Sequence, residues 1–365
     1  MGYRAAVISP AIAELAAMLG AEVPPWADSL VAAAAAAGED IDAGLNLAEK
    51  FGAQLPQPGG GQTLQRWACL AAVAAQDLTA ARVLEAHSDA LAIVVESGDV
   101  APVGTWGVFA AEAPGVQLRA TRTGPGWSLS GTKAWCSLGG QLDHALVTAN
   151  MSLEQGPAGE SVRGLFSVDL GHPSVQTNPA AGWVSRGLRN VPSGPVHFHE
   201  TPACTVGGAS WYLKRDGFSW GGIGVAACWF GAAWALFATL AAAAAKRGGE
   251  LAALSVGRAD LALSSAALAL RDAANRIDRG EADGVNGEVL ALRTRTVVVV
   301  AAERVLREVG LTLGPAPLAF DEEHARRVAD LEIYLSQHHG DRDVAALGRA
   351  ILADAAPAAN SRQRQ

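Results

Sequence analysis

Hydrophobic positions recur at helical spacing through the first hundred residues, alternate in short runs through the next hundred, and then return to helical spacing. In the first region Ala11–Leu19, Ser29–Ala37 and Trp67–Leu84 predict Ala-rich helices, interrupted by the turn-forming run Pro56-Gln57-Pro58-Gly59-Gly60-Gly61. From Gly104 the chain changes to short segments rich in Val, Trp, Phe and Thr: Thr105–Ala111, Val116–Arg122, Trp127–Ser130, His144–Ala149, Leu165–Val168 and Val196–His199. Their spacing and Gly/Pro punctuation predict an antiparallel barrel or sandwich. From about Tyr212, long helices are expected over Phe218–Arg247, Leu251–Arg279, Val285–Val309 and Glu322–His338. Gly310 and Gly340 stand at expected C-caps, and Asp341 or Asp343 at the cap of a last helix, Val344–Leu352. The expected organisation is α+β and multidomain: an N-terminal helical domain (1–103), a middle β domain (104–208), a C-terminal four-helix bundle (209–355) and a disordered tail (356–365).

A chain of 365 residues, half of them hydrophobic, has room for two or three domains, each with its own core. Its formal charge of −8 argues against nucleic acid as a partner, because that affinity rests on Lys and Arg neutralising phosphates. Cys69, Cys136, Cys204 and Cys228 form no CxxC or Cys/His cluster, so no metal site or disulfide framework is expected and a reducing cytoplasm fits. The opening residues carry no secretory or myristoylation pattern. Gly217–Ala245 holds no charged residue and is long enough to cross a bilayer. Gly, Ala and Trp dominate it, and Lys246, Arg247 and Glu250 follow, so a helix buried in a helical domain is expected and no membrane insertion.

The β region carries recognisable motifs. Gly131-Thr132-Lys133-Ala134-Trp135-Cys136-Ser137-Leu138-Gly139-Gly140, followed by Asp143–Ala149, resembles the acyl-CoA dehydrogenase segment G-x-K-x-(W/F)-(I/C)-(T/S) with its glycine turn and strand. Gly187-Leu188-Arg189-Asn190 with Ser193 and Val196-His197-Phe198 is similar to that family's G-M-R-x-(T/S) element. Trp106-Gly107-Val108 through Glu112-Ala113-Pro114-Gly115 resembles the flavin-facing strand and its T-E-P loop, and Arg327–Tyr334 resembles the R-x-x-R-D helix near the family's C-terminus.

The resemblance implies a FAD-dependent oxidoreductase that forms an α,β double bond in an acyl thioester such as an acyl-CoA. It also implies a homodimer or homotetramer through the C-terminal helices, with an electron-transfer protein as a possible partner. It assigns Trp106, Val108, Trp135, Cys136, Ser137 and Arg189 to the cofactor. A flavin ring needs an apolar wall and donors at its N5 edge. Trp135 offers the wall, Ser137 a hydroxyl two residues on, and the backbone between Val108 and Glu112 donors for the pyrimidine side. Taken alone, a Trp and a Ser at this spacing are ordinary core and turn residues.

The chain departs from the family where the catalytic Glu is expected. Between the last two long helices it has Ser336-Gln337-His338-His339-Gly340-Asp341-Arg342-Asp343, and at the alternative position Arg215–Trp220, with no Glu in either. His338, His339 and Asp341 are therefore the candidate catalytic residues, the imidazoles also being compatible with a polar helix end. Flavin-dependent hydroxylases of this fold often carry a His here, which makes a reduced-flavin hydroxylase an alternative. A non-catalytic homologue acting as a binding or assembly subunit is a third reading. Lys246-Arg247-Gly248-Gly249-Glu250 and Gly310–Pro315 replace the R-x-x-F-G and G-G-x-G elements through which the family reaches FAD in a neighbouring subunit. Gly222-Ile223-Gly224-Val225-Ala226-Ala227 matches a dinucleotide fingerprint without the strand or acidic residue it needs. His197 and His199 alternate along a strand without a third ligand, as solvent-facing residues do.

Overall fold

The computed structural model describes residues 12–152, 161–178 and 182–361; the N-terminal segment and residues 362–365 lie outside them. Five helices open the fold: α1 (Ile12–Leu19), α2 (Ala27–Ala37), α3 (Ile41–Phe51), α4 (Thr63–Gln76) and α5 (Leu78–Glu96). The sequence pattern did not predict α3, whose N-terminus is capped by the Asp40 carboxylate accepting from the Ala43 N–H at 3.1 Å. The single helix expected over Trp67–Leu84 is two. Asp77 adopts an extended conformation and its carboxylate accepts from the N–H groups of Thr79 and Ala80, so α5 starts anew there. Apolar residues on both sides of Asp77 hide this break in the pattern.

Seven strands follow: β1 (Trp106–Phe109), β2 (Leu118–Thr123), β3 (Gly126–Ser137), β4 (His144–Ser152), β5 (Ser161–Asp169), β6 (Val175–Thr177) and β7 (Ser193–Val206). The pairings β4–β5, β5–β7, β7–β3, β3–β2 and β2–β4 return to their starting strand. The expectation of an antiparallel sheet needs correction, because β4 runs parallel to both β1 and β2. The β2–β3 hairpin, closed by Gly124 at φ +58° and Pro125, lies between β1 and β4 in the chain and returns β4 in the direction of β1. Among the described residues β1 pairs with β4 alone, which leaves its other edge without a strand there.

The last region is helical: α6 (Trp211–Lys214), α7 (Asp216–Arg247), α8 (Glu250–Asp278), α9 (Gly284–Leu313), α10 (Ala316–Phe320), α11 (Glu322–Leu335) and α12 (Asp341–Ser361). α9 runs past Gly310 and stops at Gly314, whose φ of +71° suits the helix end. The tail expected from 356 is helical as far as Ser361.

The expectation of separate cores also needs correction. One apolar cluster joins Leu15, Trp67 and Phe51 of the first helices to Phe166 and Phe198 of the sheet and to Trp229, Leu263 and Val298 of the last helices. Gly231 makes part of this junction possible: a Cβ there would lie 2.0 Å from the Ala71 carbonyl oxygen, so α7 approaches α4 more closely than any side chain permits. Gly222 and Gly224, the apparent dinucleotide motif, are interior positions of α7. The apolar stretch of α7 is long enough to cross a membrane, but 72% of it is buried inside the protein.

Candidate active site

Two neighbouring spaces flank α5. Arg82, Val83 and Ala86 face a narrow groove beside β1 and the end of β3, whereas Glu85 and Asp89 face a larger cavity among the C-terminal helices. Helical spacing puts these two sets on adjoining faces of α5.

On the β side, a bulge decides what is presented. The β3–β7 register shifts between Lys133 and Cys136, so strict alternation is broken. Lys133 turns inward, buried against Glu112 at 2.5 Å and the Thr148 hydroxyl at 2.8 Å, while the Trp135 indole is 54% exposed. Ser137 is half-buried with its Oγ 2.7 Å from that of Ser193. The groove between α5 and these strands holds only about 20 Å³, too little for a three-ring system, so the usable surface is the open face that carries Trp135. An apolar wall, two hydroxyls and the unpaired edge of β1 fit what an isoalloxazine requires.

Other residues assigned to the cofactor are placed elsewhere. The Trp106 ring is buried 4.7 Å from the His144 ring, with Nε1 donating to the Pro102 carbonyl, so only its backbone belongs to the β1 edge; Val108 lines the groove. Cys136 is buried with Sγ toward the Lys133 carbonyl, and burial pushes its thiol up to about 12, so it is withdrawn from the exposed face as a neutral thiol. Arg189 makes a two-pronged bond to Glu39, at 3.1 and 2.7 Å, and a weaker contact with Glu322. Its guanidinium ties the β region to the α2–α3 turn and to the start of α11.

The cavity has a volume of about 500 Å³ and lies between α5, α6, α7, α9 and the start of α12. Leu213, Phe218, Val225 and Leu292 supply apolar wall. The charged groups differ in how they are held. Glu85 is buried, accepts from Arg82 at 2.8 Å and Tyr334 at 3.2 Å, and is pushed to a higher pKa by burial. Arg215 donates to Glu96 at 2.6 Å, and its Nε is buried without a partner. Arg295 lies 4.8 Å from the Trp229 ring centroid and donates to the carbonyls of Gly222 and Gln337, with no carboxylate at ion-pair distance. Asp89 has no hydrogen bond or ion pair among the described residues.

The two histidines at the α11–α12 junction both lie near Asp343, His338 Nε2 at 3.6 Å from its Oδ2, and differ in burial and in their other partners. His338 is 5% exposed; its Nδ1 accepts from the Gly340 N–H, so Nε2 carries the proton and donates to the Thr296 hydroxyl at 3.0 Å, which in turn donates to the Leu292 carbonyl. Burial lowers its pKa. Both ring nitrogens are spent, and the imidazole is a neutral strut. His339 is 68% exposed at the cavity rim, with Nδ1 3.3 Å from Asp343, whose other oxygen accepts from the His339 N–H at 3.1 Å. That carboxylate fixes the ring and leaves Nε2 without a partner among the described residues. Asp341 begins α12 and does not line the cavity. His197 bonds to Thr132, and no cluster of His, Cys, Asp and Glu among the described residues could hold a metal ion.

Sequence reasoning missed Asp89, Arg215 and Arg295. One signal was available: Glu85 and Asp89 are like charges four residues apart, a repulsive spacing on a helix that is otherwise mostly apolar.

A second cavity, of about 650 Å³, lies at the far end of the helical region. The two replaced elements, Lys246–Glu250 and Gly310–Pro315, meet there: Arg247, Glu250, Leu311 and Thr312 line it with Arg258 and Glu308. Glu308 is fully buried; its Oε1 accepts from Arg304 at 3.3 Å, and its Oε2 has no partner among the described residues.

No protein-family model matches the sequence, and no curated protein does. Solved structures do match. A complex of KijD3 with FMN and dTDP-3-amino-2,3,6-trideoxy-4-keto-3-methyl-D-glucose is 18% identical with a TM-score of 0.73, covering 87% of this chain and 91% of that one. The dibenzothiophene monooxygenase TdsC from Paenibacillus sp. A11-2 is 15% identical with a TM-score of 0.70, covering 93% and 97%. The butyryl-CoA dehydrogenase of Megasphaera elsdenii is 17% identical with a TM-score of 0.70, covering 91% and 99%. The chain has the acyl-CoA dehydrogenase fold, shared by flavin enzymes of several activities.

Proposed function

We propose that this protein is a monooxygenase that uses reduced flavin and dioxygen to hydroxylate a small polar substrate in the α5–α9 cavity. The observation that carries this reading is the His339–Asp343 pair at the cavity rim, in the segment where the resemblance expects a catalytic Glu. A bound flavin supplies two electrons and activation of dioxygen; one oxygen atom enters the substrate and the other leaves as water. Asp343 holds the His339 ring and compensates its charge while Nε2 takes or returns a proton at the substrate. Trp135 and the Ser137–Ser193 hydroxyls flank the ring on the β side.

FMN is favoured over FAD by likeness to a neighbour that holds it. KijD3, the first neighbour described, is a structure with FMN. Acyl-thioester dehydrogenation is less supported: Asp343 is occupied by His339, Asp341 is outside the cavity, and the wall is charged where an acyl chain needs apolar surface. Leu251, Leu254, Leu261 and Leu268 are exposed along one side of α8 and favour a homo-oligomer. A cytoplasmic setting remains our expectation.

The test is to titrate the protein with FMN and FAD, reduce the bound flavin, and compare reoxidation by dioxygen with anaerobic exposure to acyl-CoA thioesters of several lengths. Reoxidation altered by the protein, without thioester bleaching of the oxidised flavin, is expected. Anaerobic bleaching by a thioester would replace this reading with dehydrogenation, and no binding of either flavin would favour the non-catalytic one.

A further inference from the structure

Most charges around the α5–α9 cavity are already matched. Arg215 has Glu96, Glu85 has Arg82 and Tyr334, and Asp343 has His339. Among the described residues Glu288, exposed at the rim, has no partner, and two charges of the wall are also unmatched: the Asp89 carboxylate and the Arg295 guanidinium, which lacks a carboxylate at ion-pair distance. They lie against successive residues of α7. A Cβ on Gly221 would be 2.8 Å from Asp89 Oδ1, and one on Gly222 would be 3.4 Å from Arg295 Nη1. An unmatched anion and an unmatched cation thus both line the cavity, each packed over a glycine of α7.

We propose that the substrate is a small zwitterion of the amino-acid class, with its ammonium at Asp89 and its carboxylate at Arg295. Leu213, Phe218 and Leu292 receive an apolar side chain. Unpaired charges in a part-buried wall cost stability unless a ligand completes them, and a zwitterion completes both while leaving the net charge unchanged. The exposed Glu288 at the rim adds to the attraction for the ammonium. This inference rests on the reading of the cavity as the substrate site.

The test compares matched ligands by calorimetry and thermal shift, with and without FMN: L-phenylalanine, phenethylamine and 3-phenylpropionate, then L-leucine, isoamylamine and 4-methylpentanoate. At least one amino acid is expected to bind about tenfold more tightly than both of its single-charge analogues. Asp89→Asn should remove the advantage over the acid, and Arg295→Gln the advantage over the amine. Because Arg295 also packs on Trp229, Gly221→Ala serves as a second variant. Alanine favours the helix, so folding should hold, while its methyl group crowds Asp89 and weakens the amino acid and the amine but not the acid. Equal binding of an amino acid and its amine, or no binding of either amino acid, overturns the proposal. Amino-acid binding by a protein that binds no flavin would sustain the inference while sinking the monooxygenase reading; flavin binding without amino-acid binding would do the reverse.

Discussion

The face beside β3 and the cavity beyond α5 adjoin each other and are built in different ways. The β face comes from one continuous stretch of sequence, Lys133 to Ser137, whose bulge turns Trp135 outward and Lys133 inward. The cavity is assembled from single residues up to some 250 positions apart, Asp89 on α5 and Arg295 on α9, each set in an otherwise ordinary helix, and His339 in the turn before α12. A contiguous segment suits a cofactor shared by many activities, whereas scattered residues change one at a time and suit the choice of substrate. The contrast can be broken by experiment.

The largest effect is expected at the two adjacent histidines. His339→Asn should lower turnover about 10²-fold or more, the usual scale for losing a positioned acid–base group, and leave the melting temperature nearly unchanged because the ring is exposed. His338→Ala should do the opposite, leaving the Thr296 hydroxyl and the Gly340 N–H without their partner and costing about 1–3 kcal/mol of stability. Equal loss of turnover at comparable stability in both variants would erase the division between strut and proton carrier.

Acid should weaken the β side through one residue. His87 Nδ1 accepts the Trp106 N–H at 3.1 Å, where β1 begins, and burial holds its pKa down at about 4 against an ordinary 6.5. A group lowered on folding contributes stability that is complete above its unfolded pKa and is lost as pH falls through the folded one. From pH 6.5 to 4, stability should therefore decline by roughly 3 kcal/mol. Denaturant unfolding across that range checks the slope. His87→Gln, which retains an acceptor and does not titrate there, should flatten it.

The sequence showed the order of helices, strands and helices because each region keeps one hydrophobic period over many residues, and it showed the Trp135–Ser137 segment because those residues are adjacent. It did not show the Asp77 break, since one extended residue between two apolar helices leaves the period almost intact. It did not distinguish His338 from His339, since their roles depend on Thr296, forty-two residues before His338, and on Asp343 in the next helix. Nor did it show Asp89 and Arg295 together. That they line one cavity depends on how α5 and α9 pack against α7, and on two glycines whose lack of side chains has meaning only there.

Smaller effects should confine themselves to the β face. Trp135→Ala removes a half-exposed wall that packs little within the chain, so flavin affinity should fall about tenfold, within the range of an aromatic contact, while the melting temperature holds. His197→Ala is the matched control on β7: it loses only the Thr132 contact, and flavin titration should return the parent affinity.

The smallest shift is expected at Ser137. Its Oγ already shares a hydrogen bond with Ser193, so a ligand at this edge exchanges one partner for another and gains only the difference between them. Ser137→Ala should therefore lower flavin affinity only a few-fold, with the larger sign in the reduction potential, because a donor near the ring's electron-entry edge favours the more electron-rich state. Spectroelectrochemistry of the FMN complex should find a more negative potential in the variant. An unchanged potential beside an unchanged affinity would assign Ser137 to the Ser193 pair alone, and the β face would rest on Trp135 and the open edge of β1.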